Sequence, residues 1–335
     1  MTGAASLFLA ALSVSIAPAA GTLDIYTIDV EGGKALLVVS PSGESMLVDA
    51  GWPGFNGRDA DRIVEAARAA GLKVIDVLVI SHFDIDHLGD VPLLVSRFPV
   101  RRIVDPGPFA APNPRYTAYV QVRDKLPHVA VQPGDRIPLK GVDVQVVAAG
   151  RKFIAKPLKG GGAPNPLCAT TPQEPEIERD VEDNNSIGLL YTFGKFRMLD
   201  LADLESHYAY RLMCPNNPVG KVDVYHVSIH GQDKGVSPVM AQTLGARVAI
   251  MGNGPRKGGA PKTWQTLRGA PGLEDVWQVH YSVAGGKDNN PPEDFIANLD
   301  PNCQGKWIKL SARTDGTFTV TNGRNGFNKT YKPRK

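Results

Sequence analysis

A chain of 335 residues, 42% apolar, holds enough material for one large α/β core or two domains. Its 37 basic residues face 34 acidic ones, and a net charge of +3 argues against a protein coating nucleic acid over its whole surface, while leaving room for a local basic groove. No basic run exceeds two residues, and aromatic and basic residues do not interleave as a single-strand platform requires. Residues 4–17 are almost wholly apolar or small and lead into Ala17-Pro18-Ala19-Ala20-Gly21. That is the layout of a secretory signal peptide over 1–20, although its first residues carry no Lys or Arg. Export to the periplasm or beyond is therefore expected. No later stretch reaches the roughly 20 apolar residues of a membrane span.

The mature chain opens on a meander over 23–30, 35–40 and 45–49, turned at Gly32-Gly33 and Pro41-Ser42-Gly43. A helix follows over 59–70, with Ile63, Ala66, Ala67 and Ala70 on one face and Gly71 as its stop. The apolar run 74–80 reads as a buried strand and delivers Ser81-His82-Phe83-Asp84-Ile85-Asp86-His87. Four metal-competent side chains, His82, Asp84, Asp86 and His87, thus fall within six positions on a loop leaving a strand, where α/β proteins bind ligands. A polar turn by chance rich in His and Asp is the bland alternative; this density favours a metal site. His82 and Asp84, two apart, can share one ion, whereas the adjacent Asp86 and His87 diverge and suit a second. Two ions about 3.5–4 Å apart stabilise attacking and leaving oxygens together and present a metal-bound hydroxide near neutral pH. Such a centre needs a bridging carboxylate and further ligands from elsewhere in the chain.

Beyond the motif the pattern predicts a helix over 91–98, a strand over 102–105, a helix over 116–126 and two strands within 136–148. Residues 150–182, rich in Gly, Pro and charge, read as an inserted loop. It is either a lid whose Lys152, Lys156 and Lys159 meet an anionic substrate at the metal pocket, or a solvated insertion. A hairpin over 187–193 and 196–201 follows, then strands over 222–228 and 247–251 around a helix near 237–244, and a strand over 276–281. A hairpin over 307–312 and 317–321 closes the chain. This divides it into a domain over 21–285 and a C-terminal β extension over 286–335. Cys168, Cys214 and Cys303 have no zinc-knuckle or CxxC spacing; either two pair and leave one over, or all three are structural thiols.

The His-x-Asp-x-Asp-His loop resembles the signature of metallo-β-lactamase-fold hydrolases, and within them the metallo-hydrolase domain of competence-type DNA-uptake proteins. Other segments carry the likeness in order over roughly 23–285: Ile28-Asp29-Val30-Glu31-Gly32-Gly33-Lys34, Met46-Leu47-Val48-Asp49-Ala50-Gly51, Asp183-Asn184-Asn185-Ser186, Arg197-Met198-Leu199-Asp200-Leu201-Ala202-Asp203 and Val227-Ser228-Ile229-His230-Gly231. The resemblance implies a four-layer αββα sandwich. It puts the bridging carboxylate at Asp203 and the last ligand at His230, and gives a metal set of His82, Asp84, Asp86, His87, Asp203 and His230. One or two divalent ions are implied, zinc foremost, with manganese or magnesium as options. Asp49 is expected to orient a ligand histidine. Asn184, Asn185 and Ser186 either complete the first ion's shell, bind substrate, or simply start the hairpin.

The chain also departs from the pattern. Asp84 stands where many zinc members have His, Lys34 replaces an acidic residue, and the usual middle histidine is missing. Only His128 lies in that interval, at an ordinary loop-to-strand junction. Asp200 and His226 read as structural, and His207 as a solvated helix residue. Asp86 carries a catalytic role, and His280, at a strand end, is either a core histidine or the donor that protonates a leaving group. The leading expectation is a secreted hydrolase of phosphodiesters, small or nucleic acid. A lactone or β-lactam hydrolase is the alternative, and a non-catalytic DNA-handling or scaffold protein the third reading.

Overall fold

A computed structural model describes residues 21–109, 113–173, 175 and 182–334, so the expected signal peptide and part of the 150–182 insertion lie outside the described residues. The apolar strands assemble into two mixed sheets. In the first, Leu23–Thr27, Leu36–Val39 and Ser45–Val48 form the antiparallel meander, and Val77–Val79, Ile103–Asp105 and His128–Ala130 continue it in parallel. In the second, Val142–Ala149, Gly188–Phe193 and Phe196–Asp200 run antiparallel, and Val224–His226, Val248–Met251, Asp275–His280 and Ile296–Asn298 add in parallel. Short helices make the crossovers, as parallel connections demand.

Burial along single strands reveals the layers. All four side chains of Leu36–Val39 are buried, which a half-solvated strand would not allow. Leu36 and Val38 join a core shared with Val144, Tyr191, Met198 and Val224 of the second sheet. Leu37 and Val39 instead pack with Ile63, Ala67, Leu94 and Tyr119 from helices Arg58–Ala69, Val91–Arg97 and Pro114–Arg123. On the far side, Leu199, Tyr225 and Ala249 pack with Ala209, Met240 and Leu267 from helices Ser206–Met213, Pro238–Leu244 and Pro261–Arg268. The order is helices, sheet, sheet, helices, as the resemblance implied.

Two expectations change. Residues 286–335 form no appendage: Ile296–Asn298 joins the second sheet, while Ile308–Ala312, Phe318–Asn322 and Asn328–Tyr331 extend the first beyond Leu23–Thr27. The turn at Asp315-Gly316 was readable, but three strands form rather than two. His207 is buried at 2% exposure, because its helix packs on the second sheet with that face inward. Among the cysteines, Cys168 and Cys214 are joined, tying the insertion to the end of Ser206–Met213, and Cys303 is free.

Candidate metal centre

The ligand-bearing loops leave the carboxyl ends of parallel strands: Asp49 follows Ser45–Val48, residues 81–87 follow Val77–Val79, Asp203 follows Phe196–Asp200 and His230 follows Val224–His226. Both sheets therefore deliver side chains to one edge. The backbone there is strained. Asp49, Ala202, Ile229 and His230 have φ of 66°, 49°, 49° and 53°, left-handed values costing of order 1–3 kcal/mol each. Local bonds fix them: Asp49 accepts from Ser81 N and Ser81 Oγ, both at 2.7 Å, and Ile229 N donates to Ala202 O at 3.1 Å.

Six predicted ligands converge, in two groups. Asp86, His87, Asp203 and His230 form one, with ligand atoms all within 4.8 Å of one another. His230 Nε2 lies 3.2 Å from Asp86 Oδ2 and 3.1 Å from Asp203 Oδ2, and His87 Nε2 lies 3.4 Å from each. The other comprises His82, Asp84 and Asp183, with His82 Nε2 at 3.6 Å from Asp84 Oδ2 and 3.8 Å from Asp183 Oδ1. The groups adjoin, since the His82 and His87 rings are 4.1 Å apart.

The Nε2 atoms of His82, His87 and His230 are buried without a hydrogen-bond partner, a costly state for a polar atom that a cation among them would relieve. The donor set of imidazoles and carboxylates fits a divalent ion. Charge tells the same story. Burial alone would raise the Asp86 and Asp203 carboxyls, but the imidazoles of His87 and His230 outweigh it and hold both well below the usual range. Asp183 moves the other way, pushed up to about 7 by burial and by the charge of Asp203.

Supporting residues surround the ligands. His87 Nδ1 contacts Asp49 Oδ2 at 2.8 Å, leaving Nε2 aimed into the cluster. Ser186 Oγ accepts from Asp203 N at 3.2 Å, Asn184 Nδ2 donates to Glu205 Oε2 at 2.8 Å, and Asn185 Nδ2 donates to Glu182 Oε2 at 2.9 Å. These three brace loops, and the ligand-capable member of their motif is Asp183. Sequence reasoning missed it because a histidine was sought in that interval; the readable signal was a carboxylate opening the Asp-Asn-Asn-Ser motif. His128 Nε2 lies 2.9 Å from Asp105 Oδ2, away from either group.

Two lysines were also missed. Lys257 donates to Asp86 Oδ2 with its ammonium 4.8 Å from the centre of the Trp52 ring. Lys234 Nζ lies 2.7 Å from Asp183 Oδ2 and 3.2 Å from Glu205 Oε1. Lys257 comes from the turn Gly254-Pro255-Arg256-Lys257, which packs on the opening turn: a Cβ on Gly32 would lie 2.7 Å from Lys257 Cβ. The Gly32-Gly33 pair thus serves close approach as well as chain reversal.

His280 is not brought to the cluster. Its Nε2 faces Asp29 Oδ2 at 3.1 Å and Cys303 Sγ at 3.5 Å, and the ring is fully buried. The strand end could be read, but not its separation from the ligand loops, so the leaving-group role finds no geometry. Burial alone would lower its pKa; the Asp29 hydrogen bond and charge, with Cys303, lift it to about 9. A raised imidazole pKa stabilises the fold fully below the unfolded value of about 6.5 and stops doing so as pH rises through the folded value. His280→Gln is accordingly expected to lower Tm most below pH 6.5, with the deficit shrinking toward pH 9. Thermal melts across that range check this, and a constant deficit would refute it.

Residues 28–166 match the metallo-beta-lactamase superfamily. That match covers under half of the chain. A 188-residue stretch is 25% identical to ComE operon protein 3 of Bacillus subtilis (strain 168), covering 56% of this chain but only 21% of that protein. The chain thus spans about a fifth of this relative. Among solved structures it is similar to the metallo-beta-lactamase fold protein YhfI of Bacillus subtilis, at TM-score 0.45 and 12% identity over 76% of this chain and 96% of that one. CmlA, a diiron beta-hydroxylase from Streptomyces venezuelae, gives TM-score 0.41 and 15% identity over 75% and 47%. A diphosphatase from the PhnP family gives 0.36 and 14% over 70% and 87%. The described residues hold His/Asp clusters suited to divalent metal ions, and no helix among them is long and apolar enough to cross a membrane.

Proposed function

We propose that this protein is an exported metal-dependent hydrolase of phosphodiesters, with nucleic acid among its substrates. The observation that carries the reading is the charge of the site. Four carboxylates, Asp84, Asp86, Asp183 and Asp203, stand with three imidazoles, and an ammonium rests on a carboxylate of each group. Two divalent ions would offset the four carboxylates and release Lys257 from Asp86 toward an incoming anion. A neutral lactone has no use for that surplus positive charge. Carboxylate-rich ligation suits zinc but also admits manganese or magnesium.

A divalent ion held there supplies Lewis acidity toward a phosphoryl oxygen and a water whose pKa is lowered toward neutrality. The chain's own residues do the rest. Asp49 fixes the His87 ring, and Ser186 holds the Asp203 backbone. Asp84, with its side chain 42% exposed, is the ligand-capable group open to solvent, and it lines a cleft of about 720 Å³. Phe83 and Phe109 wall that cleft and Arg115 stands at its rim, so an aromatic ester with an anionic phosphate has complementary surfaces. The Cys168–Cys214 disulfide supports an oxidising compartment and hence export.

The test is turnover by purified protein reloaded with zinc, manganese or magnesium. Bis-aryl phosphates and single-stranded DNA are expected to be cleaved, and a chromogenic cephalosporin and simple lactones to be poor substrates. Absence of phosphodiester turnover with all three metals would end this reading, and brisk lactam or lactone turnover would replace it. Lys257→Met is expected to raise KM for a bis-aryl phosphate about tenfold, roughly one charge-assisted hydrogen bond, with metal content unchanged. Equal loss on a neutral lactone would mean that Lys257 supports the fold rather than the anion.

A further inference from the structure

The largest cavity described lies away from the metal centre. It is an open trough of about 1050 Å³ on the outer side of the second sheet, between the start of the 150–182 insertion and the hairpin of Gly188–Phe193 with Phe196–Asp200. Six cationic side chains line it, Arg136, Lys156, Lys159, Lys195, Arg197 and Lys221, against one carboxylate, Asp143. Asp143 is already taken by Arg136 at 2.8 Å. Arg197, which feels the charge of Asp223, donates to the carbonyls of Val219 and Lys221, and Lys221 Nζ donates to that of Thr243, which pins both cations. Lys156, Lys159 and Lys195 are exposed, and among the described residues Lys195 alone of the three feels a nearby carboxylate, the exposed Asp315 outside the trough. In a chain whose net charge is only +3, this is a strong segregation of charge.

Two of the three lysines expected to greet substrate at the metal pocket, Lys156 and Lys159, therefore line this trough instead. The metal loops leave one end of the Phe196–Asp200 strand, and Lys195 sits in the hairpin turn at the other. Lys195 and Asp200 stand five steps apart along the chain, roughly 16 Å at about 3.3 Å per residue. A trough of this volume exceeds the about 300–1,000 Å³ of ordinary small-molecule pockets, and its openness suits a chain lying along it. No aromatic side chain lines it among the described residues, so there is no base-stacking platform. Recognition must run through charge.

We propose that this trough is a second binding site, separate from the metal centre, that holds the phosphate backbone of single-stranded nucleic acid without reading its bases. The choice of a phosphodiester chain over other polyanions rests on the phosphodiesterase reading; the anion-binding character rests on the trough alone. A strand held there is retained while another part of it is cut, which lowers KM for long substrates and does nothing for short ones.

The experiment uses metal-loaded protein and a fluorescent 20-mer of oligo(dT), with binding followed by anisotropy across a salt series and strand integrity checked afterwards. Binding is expected to weaken steeply with salt. The triple variant Lys156→Glu, Lys159→Glu and Lys195→Glu is expected to bind at least tenfold more weakly. The corresponding Lys→Gln triple should be intermediate, and its log–log salt slope shallower by about 2, since each lost phosphate contact removes about 0.7. Turnover of a bis-aryl phosphate should be unchanged in both variants, which also reports that they fold. Unchanged oligonucleotide affinity in the Glu triple, or tighter binding of a polyglutamate of equal length, would overturn the proposal. Failure of the phosphodiesterase reading looks different: no turnover of bis-aryl phosphate, with trough binding intact.

Discussion

Asp203→Asn is expected to strip the centre of metal and to lower phosphodiester turnover by at least about a thousandfold. Asp203 belongs to the first group, and its charge also reaches the second. Its Oδ2 lies 3.4 Å from His87 Nε2 and 3.1 Å from His230 Nε2, and its charge also bears on His82 and Asp183. The amide preserves shape and leaves the backbone bond to Ser186 Oγ in place, so the change removes charge and little else. Loss of partners that merely orient ligands costs about 10–100-fold in metal affinity or activity, and a ligand itself must exceed that. Asp49→Asn, which touches His87 from the far side and also Ser81, should fall within the smaller range. Metal content by atomic emission and turnover under saturating metal give the comparison. An Asp203→Asn protein with full metal and turnover within tenfold of the parent would remove Asp203 from its central position.

Much of this centre was legible in the sequence. The run 81–87 announces itself because density of ligand types after an apolar strand needs no tertiary knowledge. Asp203 and His230 were reachable through motif order. Asp183 was not, because a carboxylate took the place where a histidine was sought. Lys257 and Lys234 were invisible for a deeper reason. Their positions follow from backbone approaches, such as Gly32 against the Lys257 turn, which no periodicity encodes. His280 shows the converse: its strand was readable, but its neighbours Asp29 and Cys303 come from distant segments. The layers were legible only through the resemblance, since alternation predicts strands and not which sheet they join. The edge strands after residue 300 were half seen, because Asn328–Tyr331 follows a glycine-rich turn and is polar at three of four positions.

Lys34→Met should destabilise the fold by about 3–5 kcal/mol, the usual cost of removing one partner from a buried ion pair. Lys34, just after the glycine turn of the first sheet, departs from the family's acidic residue, and the structure gives the departure a partner. Its Nζ lies 2.6 Å from Asp200 Oδ1 at the end of the second sheet, with both side chains at most 5% exposed. The same Asp200 atom accepts from Ala202 N at 3.0 Å, bracing the left-handed residue beside Asp203. The Lys34 backbone bonds to Asp86 O at 3.0 Å and accepts from Gly51 N at 3.0 Å. One residue thus ties the ligand loop of one sheet to the ligand strand of the other. Burial alone would raise the Asp200 carboxyl, but Lys34, and after it His226, outweigh burial and hold it far below its usual range. A depressed carboxyl pKa contributes stability in full above the unfolded value of about 3.9, and loses it only as pH falls through the folded value. The deficit of Lys34→Met should therefore stay constant from mildly acidic to alkaline pH, unlike that of His280→Gln. Adding Asp200→Asn removes the stranded charge while its amide oxygen still accepts from Ala202 N, and should restore most of the stability. Urea denaturation of the single and double variants decides the matter. A single variant as stable as the parent, or a double no better than the single, would show that the sheets are held at the metal edge without this pair.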